Sequence, residues 1–119
     1  MKIINSKVHG ILDYLTVVFL AASPTLFDME GDLRTFTYIL AAVHLLLTVL
    51  TRFELGIIKV IPFPIHGIIE ILVAVSLAGV SLYFNQQDNM KGFYYYIWLA
   101  VVIALVFLLT DFKNNEAGT

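Results

Sequence analysis

A chain of 119 residues that is 60% hydrophobic and 13% charged is too apolar for an ordinary soluble domain, which carries about 45–50% apolar and about 25% charged residues. Its net charge of −2 offers no basic surface to nucleic acid, and the lack of cysteine excludes disulfides, thiolate metal sites and cysteine nucleophiles. The apolar residues come in blocks, which points to a lipid bilayer and to a single small transmembrane domain over residues 1–119.

Met1 to Lys7 is short, and the apolar segment after it lacks a convincing small-x-small cleavage site before the acidic loop, so the N-terminus is expected to be retained rather than cut as a leader. The first span is expected at residues 8–27, with Pro24 in its last turn able to end or kink the helix. The acidic "DMEGDL" follows. Asp28, Glu30 and Asp32 are followed by neither the glycine nor the terminal bidentate glutamate of a calcium loop, and are expected to be a solvated turn. A second span at 35–51 leads into "RFELGIIKVIPFP", whose residues 54–63 mix apolar and charged side chains and are expected to lie along the membrane surface. The third span is expected at 65–84, with Ala74, Ser76, Ala78 and Gly79 as a close-packing face. After "NQQDNMKG" comes the fourth, at 93–109. Phe93, Tyr94, Tyr95 and Tyr96 at its start read as an interfacial aromatic belt, and "KNNEAGT" closes the chain as a polar, mobile tail. The second and fourth spans are near the short limit for a bilayer, which predicts frayed ends or local thinning. Helix is the expected state throughout, because these runs show no alternation and lone strands in hydrocarbon leave backbone groups unpaired.

Four spans put both termini and the middle connection on one side. That side carries Lys2, Lys7, Arg52, Lys59 and Lys113, against Arg34 and Lys91 on the other, which predicts that both termini are cytoplasmic. The halves also match. "HGILDYLTVVFLAA" aligns with "HGIIEILVAVSLAG" at an offset of 57 residues, and "VLTRF" with "LLTDF" at 59. Repeat 1 covers about residues 7–53 and repeat 2 about 64–112. The expected fold is therefore all-α: a four-helix membrane bundle of two tandem two-helix repeats, with a pseudo-two-fold axis along the membrane normal.

An acid early in the first helix, Asp13, and "ASPTLF" at residues 22–27 near its end resemble the SPW-repeat family of small bacterial integral membrane proteins. Thr25 stands where that family's tryptophan is expected, and the second half has "GVSLYF" without Ser-Pro. The resemblance implies the four-span fold and a bacterial cytoplasmic membrane. It implies no chemistry.

Ionisable residues inside spans are costly and mark functional sites. Residues four apart share a helix face, so His9 points with Asp13 and His66 with Glu70. By helical rise His44 lies at a depth close to that of the acids. These five are the candidate metal-ligating residues, gathered in one polar site on the cytoplasmic half. Three readings stay open. Each acid can pair with its own histidine or complement the helix N-terminus, leaving Gly10 and Gly67 to ease helix packing. The set can bind a divalent transition metal, since imidazole with carboxylate suits zinc, iron or manganese. Or it can relay protons or carry an ion. Haem is disfavoured, because His44 has Ile103 as its counterpart and His9 with His66 would be a shallow pair. Catalysis is not expected: no glycine-rich phosphate loop and no nucleophile elbow occurs. The expected partners are the lipid bilayer and further copies of the chain or a larger membrane complex, in which a purely structural subunit role is a further alternative.

Overall fold

The computed structural model describes residues 2–112; Lys113 and the polar tail that follows lie outside the described residues. Four helices follow one another: α1 Ser6–Leu26, α2 Gly31–Leu50, α3 Phe63–Gln86 and α4 Met90–Leu109. All four are long and apolar enough to cross a bilayer. Their surfaces are inverted relative to a soluble bundle. Val18, Val75 and Trp98 are each about two-thirds exposed, while His9, Ser23, Thr37, Thr48, His66 and Ser81 are fully buried. A lipid-facing exterior and a polar-lined interior is what hydrocarbon solvent selects.

Helix ends explain where the boundaries fall. The Asn5 side chain accepts the Val8 N–H at 2.9 Å and starts α1, and Asn89 does the same for Gly92 at 3.0 Å and starts α4. Each hairpin turn passes through an aspartate in the left-handed region, Asp28 at φ 49° and Asp88 at φ 57°, a conformation this residue type tolerates. α2 and α4 therefore begin earlier than the apolar runs suggest and reach 20 residues each, so neither has to thin the bilayer.

The helices pack tightly within each hairpin, α1 on α2 and α3 on α4. The half of the bundle near the hairpin turns closes around Leu20, Met29, Leu33, Leu77, Phe84, Tyr96 and Leu99. Tyr96 is fully buried and shares a 2.5 Å hydrogen bond with Thr37, and the Tyr95 hydroxyl donates to Ser23 at 2.7 Å. Four consecutive aromatic residues span more than a full turn at 3.6 residues per turn, so the run at 93–96 wraps α4 and half of it turns inward. Only Tyr94, 56% exposed, is well placed for a belt.

At the other end, two short parallel β contacts fasten the termini of the hairpins. β1 Thr51–Arg52 pairs with β2 Ile61–Pro62, and Ile4 bridges Thr110. The connection between the hairpins is exposed in its middle and anchored at its ends. Ile57, Ile58 and Val60 are exposed, whereas Phe53 and Phe63 at its two ends have no exposed surface. The Ser6 hydroxyl donates to the Glu54 carboxylate and the Tyr14 hydroxyl to the Leu55 carbonyl at 2.8 Å, which folds this turn back over α1.

A candidate metal centre between α1 and α3

Cα–Cβ bonds in a helix tilt toward its N-terminus, so an acid one turn in leans back toward a histidine at the start. Asp13 thus returns toward His9 on α1, and Glu70 toward His66 on α3. The two pairs do not stay separate. His9 Nε2 lies 3.3 Å from Asp13 Oδ2 and 2.9 Å from Glu70 Oε2; His66 Nε2 lies 3.1 Å from Asp13 Oδ2 and 3.0 Å from Glu70 Oε2. Imidazole and carboxylate alternate around one ring of four donor atoms, all within 4.8 Å of one another. None of the four residues is more than 4% exposed.

Threonines at the far helix ends fix which nitrogen carries hydrogen. Thr110 Oγ1 lies 2.9 Å from His9 Nδ1, and Thr51 Oγ1 lies 2.7 Å from His66 Nδ1. Each hydroxyl has one hydrogen, already given to a carbonyl one turn back: Thr110 to Val106 at 2.5 Å and Thr51 to Leu47 at 2.6 Å. Both threonines must therefore accept from the histidines. Nδ1 is the N–H, and in the neutral ring Nε2 presents a lone pair to the carboxylates.

Lone pairs facing carboxylate oxygens at these distances repel unless a cation lies among them. His66 Nε2 and Asp13 Oδ2 are fully buried and make no aligned hydrogen bond despite their 3.1 Å approach. Metal bonds of about 2.0–2.2 Å place neighbouring donors roughly 2.9–3.5 Å apart, from octahedral to tetrahedral geometry. The observed 2.9–3.3 Å falls in that range. Two carboxylates with neutral imidazoles carry a charge of −2, which one divalent cation cancels. Nδ1–H donation to a fixed oxygen is how metal-bound imidazoles are commonly oriented.

His44 is brought near but not into the ring. Its Nε2 is buried, has no hydrogen-bond partner among the described residues and lies 3.7 Å from Asp13 Oδ1, whereas His9 and His66 approach Oδ2. Depth alone placed it with the acids; its position around α2 leaves it beside the four-residue cluster, next to Asp13.

An aromatic cover closes the ring on the side of the β contacts. The Phe63 ring centroid is 5.3 Å from His9 and 4.7 Å from Phe112, and Phe53 sits 5.9 Å from His66. Gly10 and Gly67 seat this cover. A Cβ on Gly67 would meet the Phe112 ring at 2.8 Å, and one on Gly10 the Phe53 ring at 3.1 Å. Thr51, Thr110, Phe53, Phe63 and Phe112 are the site residues that sequence reasoning missed. The repeated Thr-x-Phe of "VLTRF" and "LLTDF" was the one signal for four of them, and Phe63 lies in neither motif.

No family model matches the chain, and neither a curated protein nor a solved structure is similar to it.

Proposed function

We propose that this is a small four-span membrane protein that holds one divalent transition metal between its two hairpins, with His9, Asp13, His66 and Glu70 as ligands. A single observation carries the reading: the Nε2 atoms of two histidines, whose Nδ1 atoms Thr110 and Thr51 engage, converge on two buried carboxylates, and His66 Nε2 and Asp13 Oδ2 lie 3.1 Å apart with no hydrogen bond among the described residues. A pair of imidazolium–carboxylate contacts would balance charge equally well. It would also require Nε2–H to point at an oxygen: His9 meets that requirement with Glu70 at 2.9 Å, whereas the His66–Asp13 approach lacks that alignment. Two nitrogens and two oxygens suit zinc, iron or manganese. When bound, such an ion would supply Lewis acidity or redox chemistry; the chain's own residues supply the dry pocket, charge balance and imidazole orientation.

The charge bias of the loops supports an orientation with both termini in the cytoplasm of a bacterium, which sets the centre on the cytoplasmic half. Paired contacts support a duplicated hairpin: Thr110 serves His9 as Thr51 serves His66, and Phe53 covers Gly10 as Phe112 covers Gly67. An SPW-repeat-like ancestry fits that plan. The broad apolar exterior leaves room for association with further copies or a larger complex.

Metal analysis of detergent-purified protein, grown with zinc, iron and manganese all supplied, tests the reading. Stoichiometric metal in the parent and its loss in Asp13→Asn and Glu70→Gln are expected. Parent protein free of metal, with both variants equally stable, would leave a structural ion-pair cluster in its place.

A further inference from the structure

Away from the His/acid cluster, a groove of about 690 Å³ runs between α1 and α4, which belong to different hairpins. Leu15 and Trp98 line it and are 59% and 67% exposed, so it opens sideways into the bilayer. Its depth offers no free donor: the Thr16 hydroxyl gives its hydrogen to the Leu12 carbonyl at 2.8 Å, and the Tyr95 hydroxyl gives its own to Ser23. Among the described residues Lys91 is the one charged side chain that lines it, at the hairpin-turn end. From Lys91 to Val102 α4 rises about 16 Å, half of a hydrocarbon core of about 30 Å. The groove therefore begins at head-group level and has the depth of one leaflet.

The charges around its mouth are mixed. One N–H of the Lys91 ammonium is given to the Asp28 carbonyl at 3.0 Å, which leaves two for a ligand. That bond also holds the cation against the acidic turns, where Asp28, Glu30, Asp32 and Asp88 are all exposed. Arg34, the other cation at this end, lies over the Tyr38 ring on α2. A purely anionic ligand would gain Lys91 and face four carboxylates; one that carries its own ammonium beside its phosphate complements both signs. The α2/α3 groove lacks these features. It measures about 220 Å³ and is lined by no lysine or arginine among the described residues, and the first-half position corresponding to Lys91 is Asp32.

We infer that the α1/α4 groove holds one phospholipid with a zwitterionic head group ending in a primary ammonium, as in phosphatidylethanolamine. Its phosphate sits on Lys91, its ammonium reaches the acidic turns, and one acyl chain lies along the groove between the hairpins. Lipid tails gain little by leaving lipid for an apolar wall, so the head group decides which lipid stays. The bound chain fills the seam between two hairpins that pack chiefly within themselves.

The test uses the full chain in nanodiscs of phosphatidylethanolamine, phosphatidylcholine and phosphatidylglycerol in equal amounts, with native mass spectrometry of the released protein as the readout. One retained lipid is expected, with phosphatidylethanolamine several-fold over the other two. Phosphatidylcholine keeps the phosphate and charge but has no ammonium N–H; phosphatidylglycerol has no ammonium. Lys91→Ala is expected to cut retention several-fold and Lys91→Arg to keep it. Val102→Trp, which adds bulk to a half-exposed groove residue, is expected to expel the lipid, while Val75→Trp on the open face of α3 leaves it bound. Equal retention of the three lipids, a preference for phosphatidylglycerol or phosphatidylcholine, or unchanged retention in Lys91→Ala would overturn the head-group assignment. Unchanged retention in Val102→Trp would overturn the groove as the place of binding. A lipid-free dimer would give the groove to a second copy of the chain instead.

Discussion

Thr110 accepts a hydrogen bond from Nδ1 of His9 across 101 residues of sequence, at 2.9 Å. The contact ties the end of α4 to the start of α1, and Thr51 makes the same contact with His66 between α2 and α3 at 2.7 Å. Groups that orient a metal-bound imidazole commonly change affinity by about 10–100-fold when removed. Thr110→Val and Thr51→Val are expected to weaken metal binding by that order, measured by chelator competition. The corresponding serine variants, which keep the acceptor oxygen, are expected to restore most of the affinity. A mere helix-end packing role would show the reverse pattern, since valine preserves the shape of threonine and serine does not.

Metal binding should also register as stability. Without a cation the folded state confines two carboxylates in a pocket with almost no exposed surface, while the unfolded state in micelles solvates them. A ligand present at a hundred times its dissociation constant stabilises the folded state by about 2.7 kcal/mol. Added zinc is expected to produce a gain of that order in the parent, read by unfolding in mixed micelles. Chelator should abolish it. The double variant Asp13→Asn/Glu70→Gln should show no zinc-dependent gain, because neither neutral amide offers the charge a divalent ion requires.

The sign of the pH dependence separates a metal from a proton as the resident cation. A metal competes with protons for Nε2 of His9 and His66 and for the carboxylates of Asp13 and Glu70, so binding releases protons. Apparent affinity should fall as pH falls, by up to about a hundredfold per pH unit where both imidazoles protonate. His44 faces Asp13 from α2 and, protonated, would repel the metal further, steepening the fall. If imidazolium–carboxylate pairs alone held the cluster, stability would instead peak where the imidazoles are protonated and the carboxylates still ionised, and would fall on either side of that window, with no response to metal. Metal titrations across the neutral range distinguish these outcomes.

Four spans and a shared His/acid site were legible in the sequence because both rest on local rules. Apolar runs of bilayer length leave helix as the one state that satisfies the backbone, and the i,i+4 spacing puts each histidine with its acid. What was not legible depends on distant pairing or on rotation about a helix. Thr51 and Thr110 look like ordinary residues at helix ends until Ile4 and Ile61 bridge to them, and contacts of one or two residues carry no periodicity to read. Helical rise gave the depth of His44 correctly and its azimuth not at all. Crossing of the pairs, His9 to Glu70 and His66 to Asp13, likewise needed the distance between α1 and α3, which no spacing within either helix encodes.

Gly67 offers the sharpest test of the aromatic cover. A methyl group there would lie 2.8 Å from Cε1 and Cζ of Phe112, and that ring cannot swing freely, because Phe63 packs on it at 4.7 Å and Phe107 at 5.4 Å. Overpacking of this kind costs about 1–3 kcal/mol, so Gly67→Ala is expected to destabilise the protein despite alanine's better helix propensity. Gly10→Ala should be milder, its nearest contacts at 3.1 Å being the rim of Phe53 and a leucine methyl. Gly79→Ala, with nothing within 4 Å, is the control and should be neutral or stabilising by up to about 1 kcal/mol. Displacing Phe112 also uncovers His9, whose ring it contacts at 5.6 Å, so Gly67→Ala should release metal faster to chelator. Adding Phe112→Ala removes the clash. The double variant should then lose less stability than the two single losses combined, whereas strict additivity would mean that the glycine and the ring do not meet.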